Sequence, residues 1–280
     1  MPASVEILDE SCTSEYRNVS TITFERGVQL RRIEKNAFRS YSSLSSICIP
    51  SSVEILCEGC FFLCCNLVTV IFETGSKLCY IEKGTFQRCS SLSSICIPSS
   101  VEILCERCFS GCCKLSNITF GYDSKLSRIE KSAFQYCSSL SSICIPSSVE
   151  FICESCFSGC RDVRNVIFEY DSKLSKIEKC VFENCASLSY ICLPFSVEIL
   201  CERCFSGCYK LSNITFEVTS KLSRIEKSAF ENCSSLSSLC IPSNMTFIGE
   251  SCFECRGLIT AYESGPKLSS IDFSKCLIVH

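Results

Sequence analysis

Cysteine is the residue type with the widest chemical repertoire in this chain. The 280 residues include 29 cysteines, one histidine and no tryptophan. Thiols can ligate metals, form disulfides or act as nucleophiles. The histidine is the terminal residue, His280, so a protease dyad, a His-based zinc catalyst or a histidine general base would rest on the end of the chain. We therefore predict that the protein is not an enzyme and has no catalytic residues.

A Cys-x-x-Cys-x-x-x-Cys motif is the strongest candidate for a metal site. It begins at Cys57, Cys105, Cys153 and Cys201. Thiolates at this spacing suit tetrahedral zinc, but the motif supplies no local fourth ligand. Its cysteines also fall on regular repeat positions, where reduced cysteine packs as a small hydrophobe. We predict no metal site and no cofactor, and a cysteine-rich metal-binding or redox protein stays open as an alternative.

Glutamate and lysine form a second regular pattern, in which the two charges alternate along the chain. The residues are Glu10, Lys35, Glu58, Lys83, Glu106, Lys131, Glu154, Lys179, Glu202, Lys227 and Glu250. An acid–base pair is the catalytic alternative, but nothing near these residues supplies a nucleophile or an oxyanion site. The alternation favours a structural ladder in which each charge has opposite charges as neighbours.

One period of 48 residues positions these side chains. Apolar residues at positions 49, 97, 145, 193 and 241 are each followed directly by proline. A phenylalanine recurs twice per period, with steps of 23 and 25 residues, from Phe38 to Phe253. Each half-period holds two short apolar alternations and a tight turn, which fit two strands and a helical or 3₁₀ turn. Such coils bury their apolar side only by stacking, so the period predicts a solenoid.

The repeat resembles the BspA-like, Treponema-type leucine-rich repeats. The resemblance rests on Leu-x-x-Ile-x-Ile-Pro-x-Ser-Val-x-x-Ile, seen from Leu44 to Leu56, and on Ala-Phe-x-x-Cys at Ala133, Phe134 and Cys137. It implies a single leucine-rich-repeat solenoid over residues 1–280, with about eleven coils and a degenerate last coil from about residue 256. Its fold class is an α/β-type repeat with a parallel β-sheet on one face and second short strands and short helical or 3₁₀ turns on the others. Thr13 departs from the pattern, because phenylalanine is expected there.

Stacking also bears on the disulfide alternative. Cysteines in one column would lie about 4.8 Å apart with parallel side chains, farther than the ~3.8 Å that Cβ atoms prefer in a bridge. The odd number of cysteines also prevents complete pairing. Under the resemblance, Cys60 and its counterparts occupy the alanine position before the buried phenylalanine. We therefore predict mostly buried, reduced thiols.

The outward side chains of the longer strand segments form the candidate binding surface, which we call the strand face. Leucine-rich repeats usually bind partners there. Side-chain alternation places small, uncharged residues outward, and the middle of a surface is desolvated most on binding. The predicted partner-binding residues are Asn117, Thr119, Ser142, Cys144, Asn165 and Ile167. Their neighbours Ile118, Ile143 and Val166 are expected to point inward.

Charge and hydropathy narrow the partners. The 27 Lys and Arg residues nearly balance the 30 Asp and Glu residues, so no basic stripe suits nucleic acid. No apolar run is long enough for a membrane span, and no signal peptide is evident.

The resemblance implies a surface antigen that adheres to host cells or extracellular proteins. The missing signal peptide and the odd cysteine count favour a cytoplasmic location and keep an intracellular scaffold open. The ends lack recognisable caps, which leaves end-to-end self-association open.

Overall fold

Parallel strands stacked coil upon coil make up the protein. The computed structural model describes residues 5–217, 219–253, 259–262 and 277–279. The chain divides into two compact units, Met1–Leu140 (unit 1) and Ser141–His280 (unit 2). Each unit is a stack of repeat coils, so the predicted fold class is confirmed. The single solenoid over residues 1–280 stays a prediction, and most of the expected degenerate last coil lies outside the described residues.

Unit 1 alternates short and long strands. In chain order its elements are β1 (Ile7–Leu8), α1 (Glu10–Thr13), a 3₁₀ turn (Ser14–Tyr16), β2 (Thr21–Ile22), β3 (Arg32–Ile33), β4 (Ser46–Ile49), β5 (Ile55–Leu56), β6 (Thr69–Phe72), β7 (Tyr80–Ile81), β8 (Ser94–Ile97), β9 (Ile103–Leu104), β10 (Asn117–Phe120) and β11 (Arg128–Ile129). The even-numbered strands form one parallel sheet in the order β10-β8-β6-β4-β2. The odd-numbered strands pair in parallel from β1 to β11.

Unit 2 repeats the same alternation. Its elements are β12 (Ser142–Ile145), β13 (Phe151–Ile152), β14 (Asn165–Phe168), β15 (Lys176–Ile177), β16 (Tyr190–Leu193), β17 (Ile199–Leu200), β18 (Asn213–Phe216), β19 (Arg224–Ile225), β20 (Ser238–Ile241), β21 (Phe247–Ile248), β22 (Ile259–Tyr262) and β23 (Leu277–Val279). Its sheets run β12-β14-β16-β18, β15-β17-β19-β21 and β20-β22-β23.

The third side of each coil is built from hydrogen-bonded turns. Within the described ranges, helix is confined to α1 and the 3₁₀ turn that follows it. Left-handed residues such as Asn36 (φ 59°) and Ser40 (φ 60°) interrupt the helical conformation on either side of Phe38. Alternate amides then donate to the next coil, as Phe38 N does to Cys60 O at 2.7 Å. These turns therefore tie the coils together as a third ladder.

A column of buried phenylalanines forms the core of each unit. In unit 1 the rings of Phe61, Phe86 and Phe109 stack nearly in parallel, with ring centroids 5.2 Å apart at both steps. Such a stack is possible because each of these coils places its phenylalanine at the same position in the coil. The strands on either side are therefore held in fixed positions relative to the core.

The first described coil lacks this phenylalanine, and a tyrosine from the next coil compensates. Thr13 stands at the phenylalanine position. In later coils a cysteine comes three residues after the phenylalanine, but three residues after Phe38 the chain has Tyr41. The Tyr41 ring packs edge-on against Phe38 at 5.4 Å, and its hydroxyl donates to the Thr13 carbonyl. The departure at Thr13 is thus matched by a partner residue.

Candidate functional site

In the structure the predicted strand face is formed by the long strands, and from here we call it the long-strand face. The long strands of unit 1 present its first part. Asn117 and Thr119 are exposed on β10, while Ile118 between them is buried. In the parallel register, Asn117 lies opposite Ser94 and Thr119 opposite Cys96 of β8. The predicted alternation of outward and inward side chains is therefore confirmed on this strand.

The other four predicted residues form the corresponding surface in unit 2. Ser142 and Cys144 of β12 are exposed, and they lie opposite Asn165 and Ile167 of β14. Ile167 is 56% exposed, and the neighbours Ile143 and Val166 are buried, as expected. The six predicted residues thus form two sets, one in each unit, and their role in binding stays a prediction.

A groove of about 420 Å³ lies on the long-strand face of unit 1, one coil or more before Asn117. It runs along β6 and β8 and the loop that follows β6. Its walls are Thr69, Val70, Ile71, Phe72, Glu73, Gly75, Ser76, Ser94, Ile95, Cys96, Pro98 and Ser99. The sequence prediction did not single out this groove. The available signal was Ile71, an apolar residue at an outward position, which is 55% exposed.

The carboxylate of the groove is structural, and two thiols of the long-strand face outside the groove are unreactive. A carboxylate oxygen of Glu73 accepts a hydrogen bond from Ser51 N at 2.9 Å, which fixes the turn after β4. Burial, together with the charge of Glu73, raises the pKa of the nearby Cys48 thiol. Burial and the charge of Glu169 raise the pKa of Cys144 in the same way. Since thiolate is the reactive form, these cysteines are poor nucleophiles and the face is weakly polar.

The Cys-x-x-Cys-x-x-x-Cys motif forms part of the core. Cys57, Cys60 and Cys64 are all buried, and burial raises the pKa of Cys60 far above its ordinary range. A metal ligand must be a thiolate, which this burial opposes. Within the described part of the chain, no group of three or more His, Cys, Asp or Glu residues is arranged to hold a metal ion.

Cys64, the last cysteine of the motif, belongs to a column of cysteines, each three residues after a core phenylalanine, whose thiols donate hydrogen bonds. Cys64 Sγ donates to the carbonyl of Phe38 in the previous coil at 2.9 Å. Cys89 donates to Phe61 O at 3.1 Å, and unit 2 repeats the contact. Cys64, Cys89, Cys185 and Cys208 are not in disulfides. Because a thioether or disulfide sulfur cannot donate a hydrogen bond, this column has a structural reason to stay reduced.

The Glu–Lys ladder is also structural. Lys35 contacts Glu58 at 2.9 Å and Lys83 contacts Glu106 at the same distance, and Lys179 contacts Glu202 at 3.0 Å in unit 2. Each of these lysines reaches the glutamate 23 residues later. The side chains are about half exposed, so each contact is worth about 0.2–1 kcal/mol and mainly favours the correct register.

No helix among the described residues has the length and apolar character needed to cross a membrane.

Comparison with protein families identifies the repeat. The profile of the BspA type leucine rich repeat region matches in six copies, over residues 1–77, 62–172 and 167–277. A comparison with curated protein sequences gives no match.

Two solved structures resemble the chain in fold. The pneumococcal vaccine antigen PcpA is 22% identical, with a TM-score of 0.53, over 93% of this chain and 69% of that protein. A leucine rich cell surface protein from Faecalibacterium prausnitzii is 19% identical, with a TM-score of 0.56, over 99% of this chain and 72% of that protein. At these identities the likeness concerns the fold alone.

Proposed function

Since the chain belongs to the BspA-type leucine-rich repeat family, we propose that it is a non-catalytic protein that binds another protein through its long-strand face. The observation that carries the proposal is the regular exposure of outward side chains on consecutive long strands, with a groove at Ile71 and Cys96 in unit 1. An extended surface of this kind suits a macromolecular partner, because contacts are distributed over several coils.

Two properties of the surface support binding over catalysis. Exposed Ile71 and Ile167 supply apolar area that a partner can cover. The Cys48 thiol has a raised pKa, and the Glu73 carboxylate accepts a hydrogen bond from a backbone amide. These groups therefore favour a surface that supplies contact area.

We further propose that the partner is a host-cell component or an extracellular protein, and that the protein acts at a cell surface. Support comes from the descriptions of the two structural relatives, one a vaccine antigen and the other a cell surface protein. An intracellular scaffold would use the same long-strand face, so the mutational test below applies to either location.

The test measures attachment to cultured epithelial cells and to immobilised extracellular matrix proteins. One variant carries Ile71→Lys and Cys96→Lys in the groove, and another carries Thr119→Lys, Cys144→Lys and Ile167→Lys. Charges placed at a desolvated interface should reduce attachment by at least about tenfold. The thermal transition should stay within a few degrees of the parent, since these side chains are exposed.

A matched control adds lysines on exposed residues in the hydrogen-bonded turns on the third side of the coils. Tyr136, which is 59% exposed, and Asn184 are each replaced by lysine, at the position where the equivalent coil carries Arg88. Attachment should be unchanged in this control. Loss of attachment only in the control, or full attachment in both long-strand variants, would contradict the proposed site.

A further inference from the structure

The outward surface of the short strands of unit 1, which we call the short-strand face, departs from the internal repeat at one coil. The first residues of β3, β5, β7, β9 and β11 point outward and form a row that we call the short-strand row. These residues are Arg32, Ile55, Tyr80, Ile103 and Arg128. The register places Tyr80 directly opposite Ile55 on one side and Ile103 on the other. The three central side chains are therefore neighbours on consecutive coils.

Tyr80 stands where the other equivalent coils carry a cation. Counting in steps of 48 residues, its counterparts are Arg32, Arg128, Lys176 and Arg224. The substitution exposes an aromatic ring, because Tyr80 is 37% exposed. With half-buried isoleucines on both sides, it creates an apolar strip over three coils. Strands in a sheet lie about 4.8 Å apart, so the strip is about 10 Å long.

The same substitution removes the ionic partner of a glutamate. In the three equivalent coils that carry arginine, it pairs with the glutamate two residues later, as Arg32 does with Glu34 at 3.0 Å and Arg224 with Glu226 at 2.9 Å. Glu82 follows Tyr80 at this spacing, and it forms no ion pair among the described residues. One of its oxygens accepts the amide of Glu58 at 2.9 Å, while the side chain remains partly exposed.

The cations nearest to Glu82 are engaged by other groups. Arg32 interacts with Glu82 only through space, because its guanidinium pairs with Glu34 at 3.0 Å and donates to the Cys57 thiol at 3.4 Å. Lys83 is held by Glu106 at 2.9 Å. The thiols of Cys57 and Cys105 flank Glu82 in the neighbouring coils, and burial together with the charge of Glu82 raises the pKa of each. They stay neutral and supply no positive charge. Glu54 and Glu102, which precede the two isoleucines, add two further carboxylates beside the strip.

The charge pattern decides between two kinds of occupant. A second copy of this chain, packed face to face on the strip with Tyr80 at the symmetry axis, would bring carboxylates against carboxylates, which is unfavourable. A partner segment with alternating apolar and basic side chains would place apolar groups on the strip. Its cation would then reach Glu82, where the repeat normally supplies an arginine. Tyrosine and arginine are also the residue types that dominate interface energies.

We propose that the short-strand face of unit 1 around Tyr80 is a second docking surface, which binds a basic amphipathic segment of another protein. Apolar side chains of the segment pack on Ile55, Tyr80 and Ile103, and its arginine or lysine pairs with Glu82. This surface lies on a different sheet from the long-strand face, so the proposal does not depend on the proposed function.

The test uses the full chain and a fluorescent eight-residue peptide of alternating leucine and arginine, with binding followed by anisotropy. Tyr80→Arg restores the residue type of the equivalent coils, so the variant should fold. It removes the aromatic anchor and occupies Glu82, and it should weaken binding by at least about tenfold. Glu82→Gln keeps the hydrogen-bond acceptor for Glu58 and removes the charge, and it should weaken binding several-fold and reduce its salt dependence.

Matched controls separate this site from general charge attraction. Lys176→Arg alters the equivalent position of unit 2 and should leave binding unchanged. A peptide of alternating serine and arginine should bind more weakly, and one of leucine and glutamate should not bind. Full binding by the Tyr80→Arg variant, equal binding of the serine and leucine peptides, or no binding of the leucine–arginine peptide would overturn the proposal. A dimer of the chain that Tyr80→Arg dissociates would also overturn it, by making a second copy the occupant.

Discussion

The two sheets of unit 1 face outward with different chemistry. Side chains on the long-strand face are small and mostly uncharged, and serine and cysteine return at the same positions in β4 and β8. The short-strand face carries arginine, glutamate and isoleucine, and one tyrosine interrupts its pattern. Both faces rest on the same phenylalanine column, so the fold requires neither composition in particular.

The comparison separates what the repeat maintains from what one coil changes. Residues that return in every second coil, such as the serines that open β4 and β8, belong to the repeat itself. Tyr80 does not, because four equivalent coils carry a cation there and keep it paired or exposed. A departure from the internal repeat is therefore a more specific pointer to function than the repeat itself.

The largest expected effect is on both faces together. Phe86→Ala should lower the free energy of unfolding by about 3–5 kcal/mol, because the rings of Phe61 and Phe109 stack on both sides and cannot both close the cavity. Denaturant titration measures the loss, and binding at both proposed surfaces should fall with it. A cost below about 1 kcal/mol would show that the two faces do not share this support.

Thiol reactivity should distinguish the two faces. Cys105, beside the short-strand row, has its pKa raised from 9.0 to about 11 by burial and by Glu82 and Glu130, while Cys96 of the long-strand face is exposed. At pH 8 the thiolate fraction of Cys105 is about 100-fold lower than in the unfolded chain, so its alkylation should be slowed by at least that factor.

The same shift predicts the direction of a pH effect on stability. The folded protein holds the Cys105 proton more tightly than the unfolded chain does. Its contribution to stability is therefore fully present below pH 9.0 and is lost as the pH rises from 9.0 to about 11.

The alkylation rates are measured by site-resolved mass spectrometry of alkylated peptides, in native buffer and in urea. Equal alkylation rates for Cys105 in the two conditions at pH 8 would refute its predicted protection in the folded protein.

The ladder beside the short-strand face should give a smaller effect. Lys83→Glu places a carboxylate against Glu106, and we expect a loss of about 0.5–1 kcal/mol. The exchange Lys83→Glu with Glu106→Lys restores opposite charges and should recover most of the loss. A double-mutant cycle measured by urea denaturation gives the coupling. Additive effects of the two substitutions would exclude a role of this pair in register.

The smallest effect concerns Tyr80 itself. Tyr80→Arg should change the free energy of unfolding by less than about 0.5 kcal/mol, because an exposed side chain is exchanged for the one that the equivalent coils carry. Thermal and urea unfolding measure this change. A loss above about 1 kcal/mol would mean that Tyr80 serves the fold, and the contrast between the two faces would lose its functional meaning.

The coil architecture was predictable because its signal is repeated. Proline and phenylalanine return at fixed steps, so the strands, the inward residues and the buried cysteines follow from one coil and apply to the others. The outward orientation of Asn117 and Thr119 follows from simple alternation. The thiol of Cys64 was expected only to pack, because its contact with the Phe38 carbonyl depends on the height difference between coils.

Other features depended on contacts between particular coils. Thr13 reads as a defect until the Tyr41 ring is seen against Phe38 and its hydroxyl at the Thr13 carbonyl. The groove at Ile71 depends on how β6, β8 and the following loop curve around open space. The third side forms turns rather than helix, because left-handed residues such as Asn36 and Ser40 let backbone amides donate to the next coil. Local composition does not reveal this conformation.

The one-directional pairing of the Glu–Lys ladder restricts how the gene can change length. Lysine coils and glutamate coils alternate, and Lys35, Lys83 and Lys179 each bond to the glutamate 23 residues later. Duplication or deletion of a single coil would set two like coils side by side, with lysine against lysine or glutamate against glutamate. An exchange of a whole 48-residue repeat leaves every junction as it was. Recombination within such a gene should therefore lengthen or shorten the protein by pairs of coils.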